Sequence, residues 1–213
     1  MKDKKKSDIK RYAFIDVPNT TGTTKNIHNF FIDWKKLFSL LTNEKWGCLD
    51  VFFYKGYKGE KEKKQLEKMG EEIGYKIKTK FTHIHKDKEE NINIKCDKSE
   101  EEFIYIHKIN GARKSNCDVE LTVDAVNLLS EGDEALILTG DGDFAYLVED
   151  LVEKGVIVYL VSSQKRDKND NRRFSSRLRK IIKRETNNEK QRVVFVDIND
   201  WKKSIEKENR PQA

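Results

Sequence analysis

The sequence of 213 residues lacks any run of about 18 consecutive apolar residues, the length that a membrane-spanning helix needs. It begins with a basic stretch, Met1 to Lys10, that leads into a short strand-like run containing Asp16, so we expect no signal peptide. The apolar residues form short periodic runs, and 38% of all residues are charged, above the ~25% typical of soluble proteins. These features predict a soluble protein with a charged surface and no membrane contact.

Cysteine is scarce as well. Cys48, Cys96 and Cys117 are odd in number and show no paired spacing, so they indicate reduced thiols in a cytoplasmic protein rather than a disulfide scaffold or a zinc knuckle. The stretch from Asn19 to Lys25 lacks the spacing of a Walker A loop, and no GxGxxG motif follows the first predicted strand. Both absences disfavour nucleotide hydrolysis and a dinucleotide cofactor.

The chain length suits one compact domain, because domains most often hold about 100–200 residues. We expect a basic tail at residues 1–10, a single domain at residues 11–206 and a polar tail at residues 207–213. The net charge of +6 and the pI of 9.0 favour an anionic partner. Charge alone does not distinguish nucleic acid from an acidic membrane.

Strand-like and helix-like patterns alternate along the chain. Strands are predicted at Arg11 to Val17, Cys48 to Tyr54, Tyr75 to His85, Ala135 to Thr139, Val156 to Ser162 and Val193 to Ile198. Helices are predicted at Asn26 to Thr42, Glu60 to Ile73, Cys117 to Leu129, Phe144 to Lys154 and Ser175 to Ile182. This alternation predicts a three-layer α/β/α, Rossmann-like fold, in which helices cover both faces of a parallel sheet.

Three local features complete this prediction. Two β-like stretches, Ile92 to Cys96 and Phe103 to His107, flank an acidic turn and predict a small β-hairpin insertion. The segment from Pro18 to Lys25 is rich in Thr, Asn and Gly and predicts a polar turn. Aromatic residues of the helix that follows, Phe31 and Trp34 among them, recur at helical spacing and predict one buried stripe.

Four aspartates are predicted to lie at the carboxyl edge of the parallel sheet, where such folds bind their ligands. Asp16 ends the first strand, Asp141 and Asp143 follow the strand ALILT, and Asp118 lies where a helix begins. Ligands of such folds bind beyond the carboxyl ends of the strands, where the strand order reverses. Carboxylates brought together there repel one another, so we expect one or two Mg²⁺ or Mn²⁺ ions to neutralise them and to promote attack of water on a phosphate. A Gly-Asp-Gly-Asp turn alone also suits a helix cap, so the prediction rests on all the acids together.

Three segments carry a family resemblance: FIDVPN from Phe14 to Asn19, KSNCDVELTVDAV from Lys114 to Val126, and LTGDGDF from Leu138 to Phe144. Together they resemble the NYN family, the PIN-like nuclease domains related to the LabA group. The resemblance implies a metal-dependent ribonuclease with a PIN-like sheet. It also implies site roles: metal ligands at Asp16, Asp118 and Asp141, a further acid at Asp143 or Asp124, and a group orienting water or phosphate at Asn19.

Two positions qualify this assignment. Asp124 follows Asp118 by six residues, about 240° further round a regular helix, so both cannot point at one ion. A supporting or substrate-facing role and plain solvent exposure both stay open for Asp124. Val17 and Pro18 occupy a position where similar sequences often have glycine, which predicts a stiffer loop before Asn19.

The stretch from Gln164 to Arg184 contains ten Lys or Arg residues. The strand before this stretch is predicted at Val156 to Ser162. If that strand lies beside ALILT and runs parallel to it, the first part of the basic stretch overlooks the metal site and can hold single-stranded RNA. The candidate substrate-binding residues are Lys165, Arg166, Arg172 and Arg173. A solvated charged loop is the alternative, and for Lys114 contact with phosphate and plain solvation both stay open. Phe174 is the only aromatic residue in the stretch, so base stacking has little support from the sequence.

Two other functions stay open. One is a catalytically silent RNA-binding or assembly module on the same fold, with a homodimer as one arrangement. The other is a Mg²⁺-dependent phosphatase or phosphotransferase with an aspartyl nucleophile at Asp16. That chemistry usually has a second acid two residues on, where Pro18 stands.

Overall fold

A computed structural model describes residues 9–84, 88–95, 102–109, 113–114, 117–187 and 191–208. Its strands are β1 (Arg11–Asp16), β2 (Asp50–Tyr57), β3 (Lys76–Phe81), β4 (His83–Ile84), β5 (Lys88–Lys95), β6 (Glu102–Ile109), β7 (Arg113–Lys114), β8 (Glu134–Leu138), β9 (Ile157–Ser162) and β10 (Val193–Asp197). Six of them form one parallel sheet in the order β10-β9-β8-β1-β2-β3. The chain therefore reverses its direction of travel across the sheet between β1 and β8.

Helices cover both faces of this sheet. They are α1 (Val17–His28), α2 (Trp34–Thr42), α3 (Glu60–Ile73), α4 (Asp118–Leu128), α5 (Ala145–Glu153), α6 (Ser176–Thr186) and α7 (Lys202–Ile205), with short 3₁₀ helices at Gly142–Phe144 and Ile198–Trp201. None of the described helices is both long and apolar enough to cross a membrane.

The core forms two layers because successive strand side chains point to opposite faces. In β1, Phe14 packs into one layer with α4, α5 and α6, whereas Ile15 packs into the other with α2, α3 and α7. Every residue of β8 is buried, as expected for a central parallel strand. The predicted three-layer α/β/α fold is confirmed.

The predicted hairpin is also confirmed, since β5 and β6 pair in antiparallel fashion from Lys88↔Ile109 to Lys95↔Glu102. A separate two-stranded pairing joins β4 to β7. Cys48 and Cys117 are free and buried, which agrees with the expectation of reduced thiols, while Cys96 lies outside the described residues.

The predicted polar turn from Pro18 to Lys25 is wrong, because this segment is helical. Asp16 caps α1 by accepting a hydrogen bond from the backbone N–H of Asn19, and Pro18 lies in the first turn, where its missing N–H needs no partner. The Thr20 hydroxyl donates to the carbonyl oxygen of Leu138 at 2.8 Å. Tertiary hydrogen bonding of this kind stabilises a helix that the local composition does not favour.

The single helix predicted from Asn26 to Thr42 is wrong as well. Asn29 has a left-handed backbone (φ 52°) that ends α1, and Asp33 caps a new helix by accepting from the backbone N–H groups of Lys35 and Lys36. Phe31 lies between the two helices with 58% of its surface exposed, so it is not part of a buried stripe.

The end of β10 leads into a helical turn that begins with an aspartate cap. The cap is Asp197, whose side chain accepts from the backbone N–H of Asn199 at 2.9 Å. The strand β10 thus runs directly into the 3₁₀ helix through its final residue.

Candidate active site

Three carboxylates converge at the carboxyl edge of the sheet. Asp118, Asp141 and Asp143 each place one ligand oxygen so that all three oxygens lie within 4.8 Å of one another. Asp118 is half-buried at the start of α4, and Asp143 is exposed in the turn after β8. Octahedral Mg²⁺ binds oxygen at about 2.1 Å, which places neighbouring ligand oxygens about 3 Å apart. Three hard oxygen donors grouped in this way are the kind of ligand that Mg²⁺ or Mn²⁺ takes, and they could hold such an ion after a small inward movement.

Asp16 lies beside this cluster, at the end of β1 and at the point where the strand order reverses. The pKa of its carboxyl group is raised to about 6, chiefly because the group is buried. Hydrogen bonds from Thr139 and Asn19 lower this pKa, and the negative charges of Asp118 and Asp141 raise it. These charges act on Asp16 because the four acids share one edge of the sheet. A cation at this edge would offset the cost of ionising Asp16.

Thr139 fixes Asp16 relative to Asp141. Its hydroxyl donates to Oδ2 of Asp16 at 2.8 Å and accepts from the backbone N–H of Asp141 at 3.2 Å. The side-chain oxygen of Asn19 accepts from the backbone N–H of Gly140 at 2.8 Å. The start of α1 is therefore tied to the turn after β8. Sequence reasoning missed Thr139, although it stands inside the LTGDGDF segment.

The glycines of this turn permit close packing against the loop from Ser163 to Ser175. A Cβ on Gly140 would lie 2.5 Å from the carbonyl oxygen of Arg173, and one on Gly142 would lie 2.4 Å from Oγ of Ser175. The backbone N–H of Ser175 also donates to the carbonyl oxygen of Gly140 at 2.9 Å. Any side chain at these positions would push the acidic turn away from the loop.

Asp124 lies apart from the three clustered oxygens. Its carboxylate accepts a hydrogen bond from the Tyr54 hydroxyl at 2.9 Å and lies 3.4 Å from Nζ of Lys78. Burial and this hydrogen bond raise the pKa of Tyr54. The side chain of Asp124 is 24% exposed and engaged by β2 and β3, so plain solvent exposure does not describe it. The helical offset from Asp118 explains why the two acids diverge.

The loop from Ser163 to Ser175 carries the candidate substrate-binding residues, and it begins at the edge of the sheet that the sequence predicted. Strand β9 lies beside β8 and runs parallel to it, so the loop begins at the same edge as the acidic cluster. Lys165, Arg166 and Arg172 are exposed, and Arg173 is half-buried.

Local contacts hold this loop in one conformation. Asp167 accepts from the backbone N–H groups of Asn169 and Asn171, both at 2.9 Å. Asp170 adopts a left-handed backbone (φ 63°) and pairs with Arg166. The loop therefore presents its cations from a fixed turn.

Two arginines of this region contact the turn and helix around the site. The guanidinium group of Arg173 lies over Gly22 of α1, where a Cβ would be 2.4 Å from its Nη2 atom. Arg177, which sequence reasoning did not single out, passes the acidic turn with its Cδ 3.8 Å from a Cβ position on Gly142. Phe174 is 1% exposed and packs on Phe195, so it is not available for base stacking.

Lys114 lies on β7, opposite His83 in the pairing with β4. Its contact with phosphate stays a prediction.

Comparison with known proteins gives one family and two relatives. The NYN domain family matches residues 11–183. The chain is 24% identical, over 203 residues, to the low amplitude and bright protein LabA of Synechococcus elongatus; the match covers 93% of this chain and 89% of that protein. A crystal structure of a protein of unknown function from Vibrio parahaemolyticus superposes with a TM-score of 0.58 at 17% identity, covering 92% of this chain and 98% of that one, and it shows the same fold.

Proposed function

The chain belongs to the NYN domain family, and from that premise we propose that it is a divalent-metal-dependent ribonuclease. Membership of this PIN-like nuclease family supports a ribonuclease-type function. The observation that carries the proposal is the convergence of Asp118, Asp141 and Asp143 within 4.8 Å at the reversal point of a parallel sheet. Crowded acids of this kind are characteristic of a site that binds a hard cation.

In the proposed mechanism, the clustered acids together with Asp16 hold one or two Mg²⁺ or Mn²⁺ ions. A divalent cation supplies Lewis-acid stabilisation of phosphate charge and promotes deprotonation of water for in-line attack on a phosphodiester. The hydroxyl of Thr139 holds Asp16 in place, and Asn19 fixes the turn that bears Asp141. This prior positioning means that little reorganisation is needed when substrate binds.

The substrate in this proposal is single-stranded RNA. Exposed cations on the fixed loop after β9 lie on the same edge as the acids, and Arg177 passes the acidic turn. Such cations bind backbone phosphates without reading sequence. The buried free thiols of Cys48 and Cys117 support a reducing compartment, and we propose a cytoplasmic location.

The proposal is tested by incubating purified protein with labelled single-stranded RNA and with DNA of the same sequence. We expect RNA cleavage with Mn²⁺ or Mg²⁺ and none with EDTA, because the acids alone cannot stabilise phosphate charge. Binding of RNA without cleavage under any divalent cation would overturn the nuclease proposal and favour a silent RNA-binding module. Cleavage that persists in EDTA would contradict the metal requirement.

Replacing Arg172 with alanine should weaken RNA binding and reduce its salt dependence. The slope of log K against log salt is negative, and each lost phosphate contact on single-stranded RNA makes it shallower by about 0.7. Fluorescence anisotropy in EDTA over a range of KCl concentrations measures this slope. Lys68→Ala removes an exposed positive charge from α3 and serves as the control. An Arg172→Ala slope equal to that of the control would exclude phosphate contact at Arg172.

A further inference from the structure

A groove of about 750 Å³ opens at the carboxyl edge of the sheet, on the face opposite to Asp118 and α4. Its walls come from α1, α2, α3 and β2, with Phe31, Trp34, Phe53, Leu66 and Met69 as the apolar lining. Ligand pockets of roughly 300–1,000 Å³ are typical of small-molecule sites. The groove is therefore large enough for a nucleotide.

The aromatic side chains of the groove are arranged to receive a flat ligand. Phe31 leaves 58% of its surface exposed, which keeps apolar ring area in contact with water that a ligand could cover. The ring of Trp34 meets Phe53 edge-on, with centroids 4.9 Å apart, which holds the indole in place along the wall. A base with its own π face can stack on such rings.

Cations surround the exposed ring. Nζ of Lys25 lies 5.7 Å from the centroid of the Phe31 ring, and Lys207, on the groove wall, donates its backbone N–H to the carbonyl oxygen of Phe31 at 2.8 Å. Within the part of the chain that the structure describes, neither lysine has an ion-pair partner.

The other charges at the groove are matched. Lys55 pairs with Glu62 at 2.9 Å, and Glu208 pairs with Lys36 at 2.7 Å. The unmatched charge beside the aromatic ring is therefore positive. Positive charge next to an exposed ring suits single-stranded nucleic acid better than an apolar peptide or an acyl chain.

The groove and the acidic site are lined by adjacent residues at the first turn of α1. Asp16 caps that turn, and Val17, the next residue, lines the groove. On the neighbouring strand, Tyr54 pairs in register with Asp16, and the next residue, Lys55, also lines the groove. An RNA strand that crosses this edge of the sheet can therefore contact both the groove and the acidic site.

We propose that this groove binds one unpaired nucleotide of the RNA substrate, with its base against Phe31 and Trp34 and its phosphates near Lys25 and Lys207. The proposal rests on the proposed function for its substrate class. It assigns base stacking to Phe31 and to Trp34 at the start of α2, and it leaves the contacts with backbone phosphates at the acidic edge to the loop after β9.

The test measures binding of a short fluorescein-labelled oligouridine by anisotropy in EDTA, where binding is read without cleavage. Stacking contributes about 1–3 kcal/mol per base, so Phe31→Ala should weaken binding by about 5-fold to about 150-fold. Phe31→Trp should retain or increase affinity, which a merely structural role would not predict. Leu49→Ala is the control, because Leu49 is 61% exposed and directly precedes β2, at the opposite edge of the sheet.

Unchanged affinity of Phe31→Ala, with wild-type thermal stability, would overturn the groove proposal. Sedimentation velocity of the same variants tests the other occupant: a dimer lost in Phe31→Ala without a change in RNA affinity would assign the groove to contact between copies of this chain and overturn the proposal. Failure of the nuclease proposal is a separate result, because it appears as absent cleavage with intact oligouridine binding.

Discussion

Asp141→Asn is expected to lower the rate of Mn²⁺-dependent RNA cleavage about 100-fold or more, because losing roughly 3 kcal/mol of charge stabilisation costs that factor. The substitution removes a negative ligand and keeps the shape of the side chain. It also keeps the cap, since the Asn oxygen can accept from the backbone N–H of Asp143 as Oδ1 of Asp141 does at 3.1 Å. The loss should therefore arise from the metal site and leave the fold unchanged.

Asp50→Asn supplies the matched control for this experiment. Asp50 begins β2 at the opposite edge of the sheet and lies 3.7 Å from Nζ of Lys76. It undergoes the same chemical change away from the acidic cluster, so cleavage should stay within about 2-fold of wild type. Calorimetric titration with Mn²⁺ adds a second readout, in which Asp141→Asn should bind more weakly. Wild-type cleavage and Mn²⁺ affinity in Asp141→Asn would refute the assigned centre.

Asp16→Asn should stabilise the metal-free protein at pH 7.5 while it impairs cleavage. Burial raises the pKa of Asp16 from 3.8 to about 6, so the folded protein binds this proton more tightly than the unfolded chain does. Stability is therefore highest below pH 3.8 and falls as pH rises towards the folded pKa of about 6. The shift corresponds to on the order of 3 kcal/mol at neutral pH. Asparagine does not ionise and avoids this cost.

Urea unfolding in EDTA at pH 4.5 and pH 7.5 measures the effect. The free energy of unfolding of Asp16→Asn should exceed that of wild type at pH 7.5 and approach it at pH 4.5. Asp33→Asn makes the same change at another helix-capping carboxylate, at α2, and shows what replacing a capping carboxylate by an amide does by itself. If the free energies of unfolding of Asp16→Asn and wild type differ by the same amount at both pH values, ionisation of Asp16 does not limit stability.

Apolar residues recur at strand spacing and at helix spacing in alternate segments of the chain, and this pattern was enough to predict the sheet and its helical layers. Strand β8 is an uninterrupted apolar run, and a run of this kind is stable only with both faces covered. Covered parallel strands in turn require helical crossovers. The edge that carries Asp16, Asp141 and Asp143 follows from the same rule, since each lies at or just after the end of a strand.

Local composition was a poor guide where tertiary contacts stabilise an unusual segment. The Thr-rich stretch from Pro18 to Lys25 forms a helix because Asp16 caps it and the Thr20 hydroxyl donates to the backbone at the end of β8. Phe31 matched a helical stripe in the sequence, yet the left-handed backbone of Asn29 separates it from α2. The Thr20 bond reaches a residue 118 positions away, so no local pattern indicates it, and the left-handed turn at Asn29 lies inside a segment whose apolar spacing suits one continuous helix.

The sequence by itself determined the fold class, the strand or helix end at which each acid lies and the basic stretch beside them, because these depend on periodicity and on residues adjacent in the chain. Only the tertiary structure decided which acids meet. It brought Asp118, Asp141 and Asp143 together, directed Asp124 to Tyr54, and opened the groove at Phe31. The direction of a side chain depends on helix phase and on packing partners from distant parts of the chain, and spacing along one sequence does not encode these.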